Sequence, residues 1–91
     1  MELFQLRREI DAIDAELVKL FCDRMELSAK VADYKKANNL PIHHPVREQE
    51  ILETIGQQSS PNLAEYVKDL YRAIFAISRD YQTKRNSEVA E

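Results

Sequence analysis

The sequence predicts an all-α fold of three helices per chain, and three observations carry that expectation. The chain has 91 residues but only one glycine and three prolines, too few turn residues for a protein of strands and hairpins. Its apolar residues recur at alternating spacings of three and four, the pattern of helices packed along a seam. Its glycine and prolines fall at two places only, residues 41–45 and 56–61, which divides the chain into one long, one short and one medium segment. At this length a single domain spanning residues 1–91 is expected, and a lone copy buries only a modest share of its surface.

The first helix is expected over about 3–38. Its stripe runs Leu3, Leu6, Ile10, Ile13, Leu17, Leu20, position 24, Leu27, Val31 and Tyr34, and no breaker interrupts it before Asn38, Asn39 and Pro41. At 1.5 Å per residue it is about 50 Å long. Two shorter helices of the same chain do not cover that length, so a partner chain is expected. The second helix is expected over about 45–57, with Pro45 at its first position. Val46, Ile51, Leu52 and Ile55 form its core face, and Gly56 marks its end. Ser60 and Pro61 read as the cap and first turn of a third helix over about 61–84. Its stripe is Leu63, Val67, Leu70, Ile74, Ile77 and Tyr81, followed by a polar tail expected to fray.

A net charge of −3 gives no general attraction to nucleic acid or to an anionic membrane. No apolar run reaches the length of a membrane span, and the N-terminus lacks the apolar core of a signal peptide. Cys22, the single cysteine, has no internal partner, so a cytoplasmic protein is expected. With no His or Asp placed to activate it, Cys22 reads as a small buried hydrophobe. His43 and His44 are adjacent in a loop without a third ligand at a recognisable spacing, so no metal is expected. No nucleophile triad, phosphate-binding glycine loop or paired-carboxylate motif is present, and no cofactor is expected.

The informative residue is Arg24, a guanidinium in an otherwise apolar stripe. Buried without a counter-charge it costs several kcal/mol, so it calls for an anionic partner. Lys35, eleven residues on, returns to within about 20° of the same direction, about 16 Å along the axis. The alternative is that Arg24 fixes register and oligomeric state, as single polar seam residues do. Arg7 is rotated about 100° from Arg24 and lies about 25 Å away. In an antiparallel pair of first helices centred near residues 15–16, Arg7 of one chain approaches Arg24 of the other; alone, it reads as a solvated surface charge. Ser78 and Gln82 share a face beside the third stripe, ordinarily a partly exposed position. Arg47 and Glu48 open the second helix, where Glu48 also favours the helix dipole.

Five motifs occur in order: Leu6-Arg7-x-x-Ile10-Asp11-x-Ile13-Asp14, then Arg24-Met25-Glu26-Leu27, then Lys35 eleven residues after Arg24. Pro45-x-Arg47-Glu48 and Ser78-Arg79-x-x-Gln82 complete the set. Together they resemble the all-helical chorismate mutases over roughly residues 3–82. The resemblance implies an intertwined homodimer in which the long helices pack together. It also implies two equivalent pockets, each with Arg24, Lys35, Arg47, Glu48, Ser78 and Gln82 from one subunit and Arg7 from the other. One departure stands at His44, where some members carry an acidic residue.

The implied reaction turns chorismate, a dianion, into prephenate by an intramolecular rearrangement in aromatic amino-acid synthesis. It needs no proton transfer, nucleophile, metal or redox group, but it does need conformational selection and charge stabilisation. The resemblance implies that Arg7, Arg24 and Arg47 bind carboxylates through their guanidinium forks. Glu48 accepts from the ring hydroxyl, and Ser78 assists near the ring carboxylate. Lys35 and Gln82 stand at the ether oxygen, where negative charge develops. Some relatives have Glu in place of Gln82, and a carboxyl must be protonated to donate. Gln82 donates at any ordinary pH, so a broad neutral profile is expected; a steep fall of kcat from about pH 5 to 7 contradicts that role. Two other readings stand beside this one: an isochorismate-pyruvate lyase of the same fold, and a non-catalytic dimerisation or regulatory module.

Overall fold

In the computed structural model, which describes residues 2–88, the chain forms three α-helices and, among those residues, no strand. Met1 and residues 89–91, the ends of the expected 1–91 domain and of its polar tail, lie outside the described residues.

Helix α1 (Leu3–Ala37) is one unbroken helix of 35 residues. It stops where the asparagines fall. Asn39 takes φ 55°, a left-handed conformation that asparagine tolerates better than most residues. Its amide then donates to the Lys36 carbonyl and that of Leu40 to the Lys35 carbonyl, a Schellman closure that satisfies carbonyls the helix end leaves free. Helix α2 (Pro45–Gln58) starts with proline at its first position, where a missing N–H costs nothing.

Gly56 does not end α2 as expected; the helix passes through it and stops at Ser59, whose hydroxyl donates to the Ile55 carbonyl at 2.6 Å. The glycine sits where α3 comes close, and a Cβ there would stand 2.6 Å from Lys68 Cε. That atom is the mobile end of a long side chain whose ion pair with the exposed Glu65 is loose, at 3.4 Å. Gly56→Ala is therefore expected to raise stability by up to about 1 kcal/mol through helix propensity. Thermal melting at fixed protein concentration tests this, and a destabilised variant would show that Lys68 is pinned.

Helix α3 (Ala64–Glu88) begins three residues later than expected. Leu63 N–H donates to the Ser60 carbonyl at 2.9 Å, closing a turn with Pro61 in the position that favours it, and only then does the helix run. It also extends past Lys84, because its last turns dock on α1. Arg85 makes two bonds of 3.2 Å to the Asp33 carboxylate, Asn86 Nδ2 donates to the Ala32 carbonyl, and Lys36 Nζ to the Asn86 carbonyl. Hydrogen bonding to Asp33, and then its charge, raises the already high pKa of Arg85, so the guanidinium stays charged.

Helix α3 packs against both α1 and α2, which do not pack on each other. The chain measures 55 × 28 × 14 Å, so one dimension is barely thicker than a single helix with its side chains. The expected core face of α2 is partly inward, with Ile55 buried, Ile51 and Leu52 half-buried and Val46 exposed, but most of the α1 and α3 stripes lie outside the core within a chain. Leu3 to Leu20 are all exposed, and so are Leu27, Val31, Leu70, Ile77 and Tyr81. Cys22, expected to be buried, is exposed too. The contact within a chain uses neighbouring faces, where Ser28, Ala29 and Ala32 of α1 meet Phe75, Ser78 and Gln82 of α3. Small residues of α1 let the helices approach, and most of its larger apolar residues are left facing outward.

Candidate active site

A cavity of 390 Å³ opens among the three helices, within the range of about 300–1,000 Å³ usual for small-molecule sites. Six residues singled out in the sequence line it together: Arg24 and Lys35 from α1, Arg47 and Glu48 from α2, Ser78 and Gln82 from α3. Leu27, Val31, Ile51 and Phe75 supply apolar wall. Arg7 is not among them. It lies exposed on the free half of α1, about 25 Å along the helix from Arg24.

Most of these polar groups are held by the local fold. Arg24 has no carboxylate within ion-pair distance among the described residues. Its guanidinium instead lies 5.8 Å from the Tyr71 ring centre and 5.9 Å from that of Phe75. Such faces stabilise a cation by about 0.5–2 kcal/mol, which offsets part of its desolvation without supplying the counter-anion the sequence called for. Lys35 Nζ donates to the Ile42 carbonyl at 2.7 Å. The Schellman turn makes that contact, since it sends the loop back past the end of α1. The ammonium keeps further protons to donate. Lys35 and Arg47 also lack a carboxylate partner among the described residues.

On α3, Ser78 and Gln82 are buried, not partly exposed as their place beside the stripe suggested, with exposures of 5% and 7%. Gln82 Nε2 donates to Ser78 Oγ, and Ser78 Oγ to Ser28 Oγ, each at 3.0 Å. Among the described residues Gln82 Oε1 has no partner, a loss of about 1–3 kcal/mol for a buried polar atom. Ser28 escaped the sequence reading although its place on the helix made it visible. It lies one turn after Arg24 and two before Lys35, on the same face. Arg79 also lines the cavity and was missed; its Nη1 donates to Glu48 Oε2 at 2.5 Å. That pair joins residues 31 apart in the chain, and no helical spacing reports it.

His44 caps α2: its Nδ1 accepts from the Arg47 N–H at 3.0 Å. The bond requires Nδ1 to be unprotonated, so the neutral ring carries its proton on Nε2. An acidic residue at this position offers the same kind of acceptor, which gives the departure at His44 a physical account. His44→Ala is expected to cost about 1 kcal/mol and His44→Asn much less. Urea unfolding of the two variants measures the difference, and equal losses would remove the cap from the account. Among the described residues no cluster of His, Cys, Asp and Glu is placed to hold a metal ion, and no helix is long and apolar enough to cross a membrane.

Comparison with known proteins adds an independent line. Residues 6–83 match the family model described as chorismate mutase type II. The chain is 48% identical over 54 residues to a bifunctional chorismate mutase/prephenate dehydratase of Aquifex aeolicus, covering 59% of this chain and 15% of that one. It is 36% identical over 72 residues to the T-protein of Haemophilus influenzae, covering 77% and 19%. A chorismate mutase of Methanocaldococcus jannaschii is 37% identical over 54 residues, 59% of this chain and 54% of that one. The matched segment is thus about half or less of each of these relatives. No solved structure matches significantly.

Proposed function

The chain belongs to the chorismate mutase type II family, and on that premise we propose that it rearranges chorismate to prephenate as a homodimer with shared active sites. The observation that carries the reading is the charge in the cavity. Arg24, Lys35 and Arg47 converge there without carboxylate partners among the described residues. Three cations around one cavity, Arg24 and Lys35 half-buried and Arg47 exposed, favour a small polyanion, and a dianion with two carboxylates suits them.

In this reading Arg24, Arg47 and Arg7 of the partner subunit bind the two carboxylates. Glu48 accepts from the ring hydroxyl and Ser78 assists near the ring carboxylate. Lys35 and Gln82 meet the ether oxygen as its C–O bond lengthens and the new C–C bond forms. The serine–glutamine chain supports the role of Gln82. A hydroxyl both donates and accepts, so turning the amide over reverses the chain: Ser28 donates to Ser78, and Ser78 to Oε1. The group then left without a protein partner is an N–H. An ether oxygen only accepts, so the reversed sense is the productive one. Apolar wall limits water around these donors, which strengthens their effect on developing charge.

Chorismate consumption with stoichiometric prephenate tests the activity. No turnover by the folded wild type would reject it, and pyruvate released from isochorismate would move the assignment to the lyase. If neither substrate reacts and Arg24→Ala leaves stability unchanged or improved, the cavity is idle and the non-catalytic module is the better account.

A further inference from the structure

Glu48 is the single carboxylate among the residues that line the cavity. Its presence there is a physical problem, because a bare anion repels a dianionic substrate and its side chain has several rotamers to choose from. Both difficulties meet the same answer. Arg79 reaches from α3 to α2 and donates to Glu48 Oε2 at 2.5 Å, with the two side chains 34% and 23% exposed. Among the described residues the other oxygen, Oε1, has one cationic neighbour, His43 Nε2 at 3.8 Å, beyond hydrogen-bond reach. One oxygen is therefore fixed and the other remains able to accept.

We propose that Arg79 is a positioning residue for Glu48, holding one carboxylate oxygen so that the other accepts the substrate's ring hydroxyl. The inference rests on the chorismate reading of the same cavity and adds to it the residue that sets hydroxyl recognition. Arg79 need not touch the substrate. Its guanidinium offsets the Glu48 charge beside the incoming dianion and restricts the carboxylate to one orientation. The ring hydroxyl is bound alike in the ground state and the transition state, so the contribution falls on substrate binding more than on the chemical step.

Steady-state kinetics with chorismate tests this on five proteins: wild type, Arg79→Ala, Arg79→Lys, Glu48→Ala and the Arg79→Ala/Glu48→Ala pair. Salt at about 0.5 M screens the long-range part of the Arg79 charge. Arg79→Ala is expected to raise KM about tenfold while kcat changes less than about threefold, and Arg79→Lys to recover part of the loss. In the Glu48→Ala background, where no carboxylate remains to be placed, Arg79→Ala should change KM less than about twofold. An equal rise in both backgrounds would overturn the inference, since Arg79 would then act without Glu48. An unchanged KM in the first background would overturn it as well. A wild type that does not turn chorismate over rejects the functional reading itself, and the inference with it, in the first arm of the experiment.

Discussion

Lys35→Ala is expected to lower kcat for chorismate by about 10²–10³, the loss typical of removing one preorganised donor from developing negative charge. The structure gives Lys35 the features such a donor needs. Its ammonium lines the cavity, and its direction is set by the 2.7 Å bond to the Ile42 carbonyl, so little reorganisation remains for the moment of bond breaking. The substitution also removes that bond to the loop, which costs about 1 kcal/mol of stability. Lys35→Met separates the two effects from packing, because it keeps the length and loses the charge. Both variants should remain helical, with KM changed much less than kcat, since the charge they fail to meet is largest in the transition state. A kcat within about threefold of wild type in a folded Lys35→Met variant would remove Lys35 from the ether oxygen.

The same residue shows what a sequence discloses and what it withholds. Arg24 and Lys35 were legible as one face because α1 is a regular helix without a breaker, and helical rotation alone brings their directions together. The stop at Asn38 and Asn39 was legible because few residues accept a left-handed conformation. Gly56 was misread because a glycine that ends a helix and one that admits a neighbouring element look alike in one dimension. The end of α3 was misread as polar and loose because its partners, Asp33, Lys36 and the Ala32 carbonyl, sit about 50 residues earlier. The burial of Ser78 and Gln82 and the Arg79–Glu48 pair were hidden for the same reason. The stripes were legible as apolar faces of helices, but within the chain most of their residues are exposed, and periodicity does not say what would cover them.

Mixing Arg7→Ala with Lys35→Ala is expected to restore activity that neither variant has alone. If each pocket takes Lys35 from one subunit and Arg7 from the partner subunit, a mixed dimer has one pocket with both residues and one with neither. Random re-pairing after unfolding and refolding together makes half the dimers mixed, so about a quarter of wild-type activity should return. The structure supports pairing through α1. Leu3, Leu6, Ile10, Ile13, Leu17 and Leu20 are exposed along a helix that is exposed at every residue from Leu3 to Leu20, and exposed apolar surface of that extent marks an interaction face. Arg7 stands on that exposed stretch, too far from its own Arg24 to share a pocket with it in one straight helix, whereas an antiparallel partner brings it close. Leu17→Asp supplies the control: a charge buried in the paired stripe should give monomers by sedimentation and abolish turnover. Full activity of Arg7→Ala on its own would show that Arg7 lies outside the site. Two inactive variants that regain nothing, while wild type refolded alongside recovers fully, would show that each pocket draws its residues from a single chain.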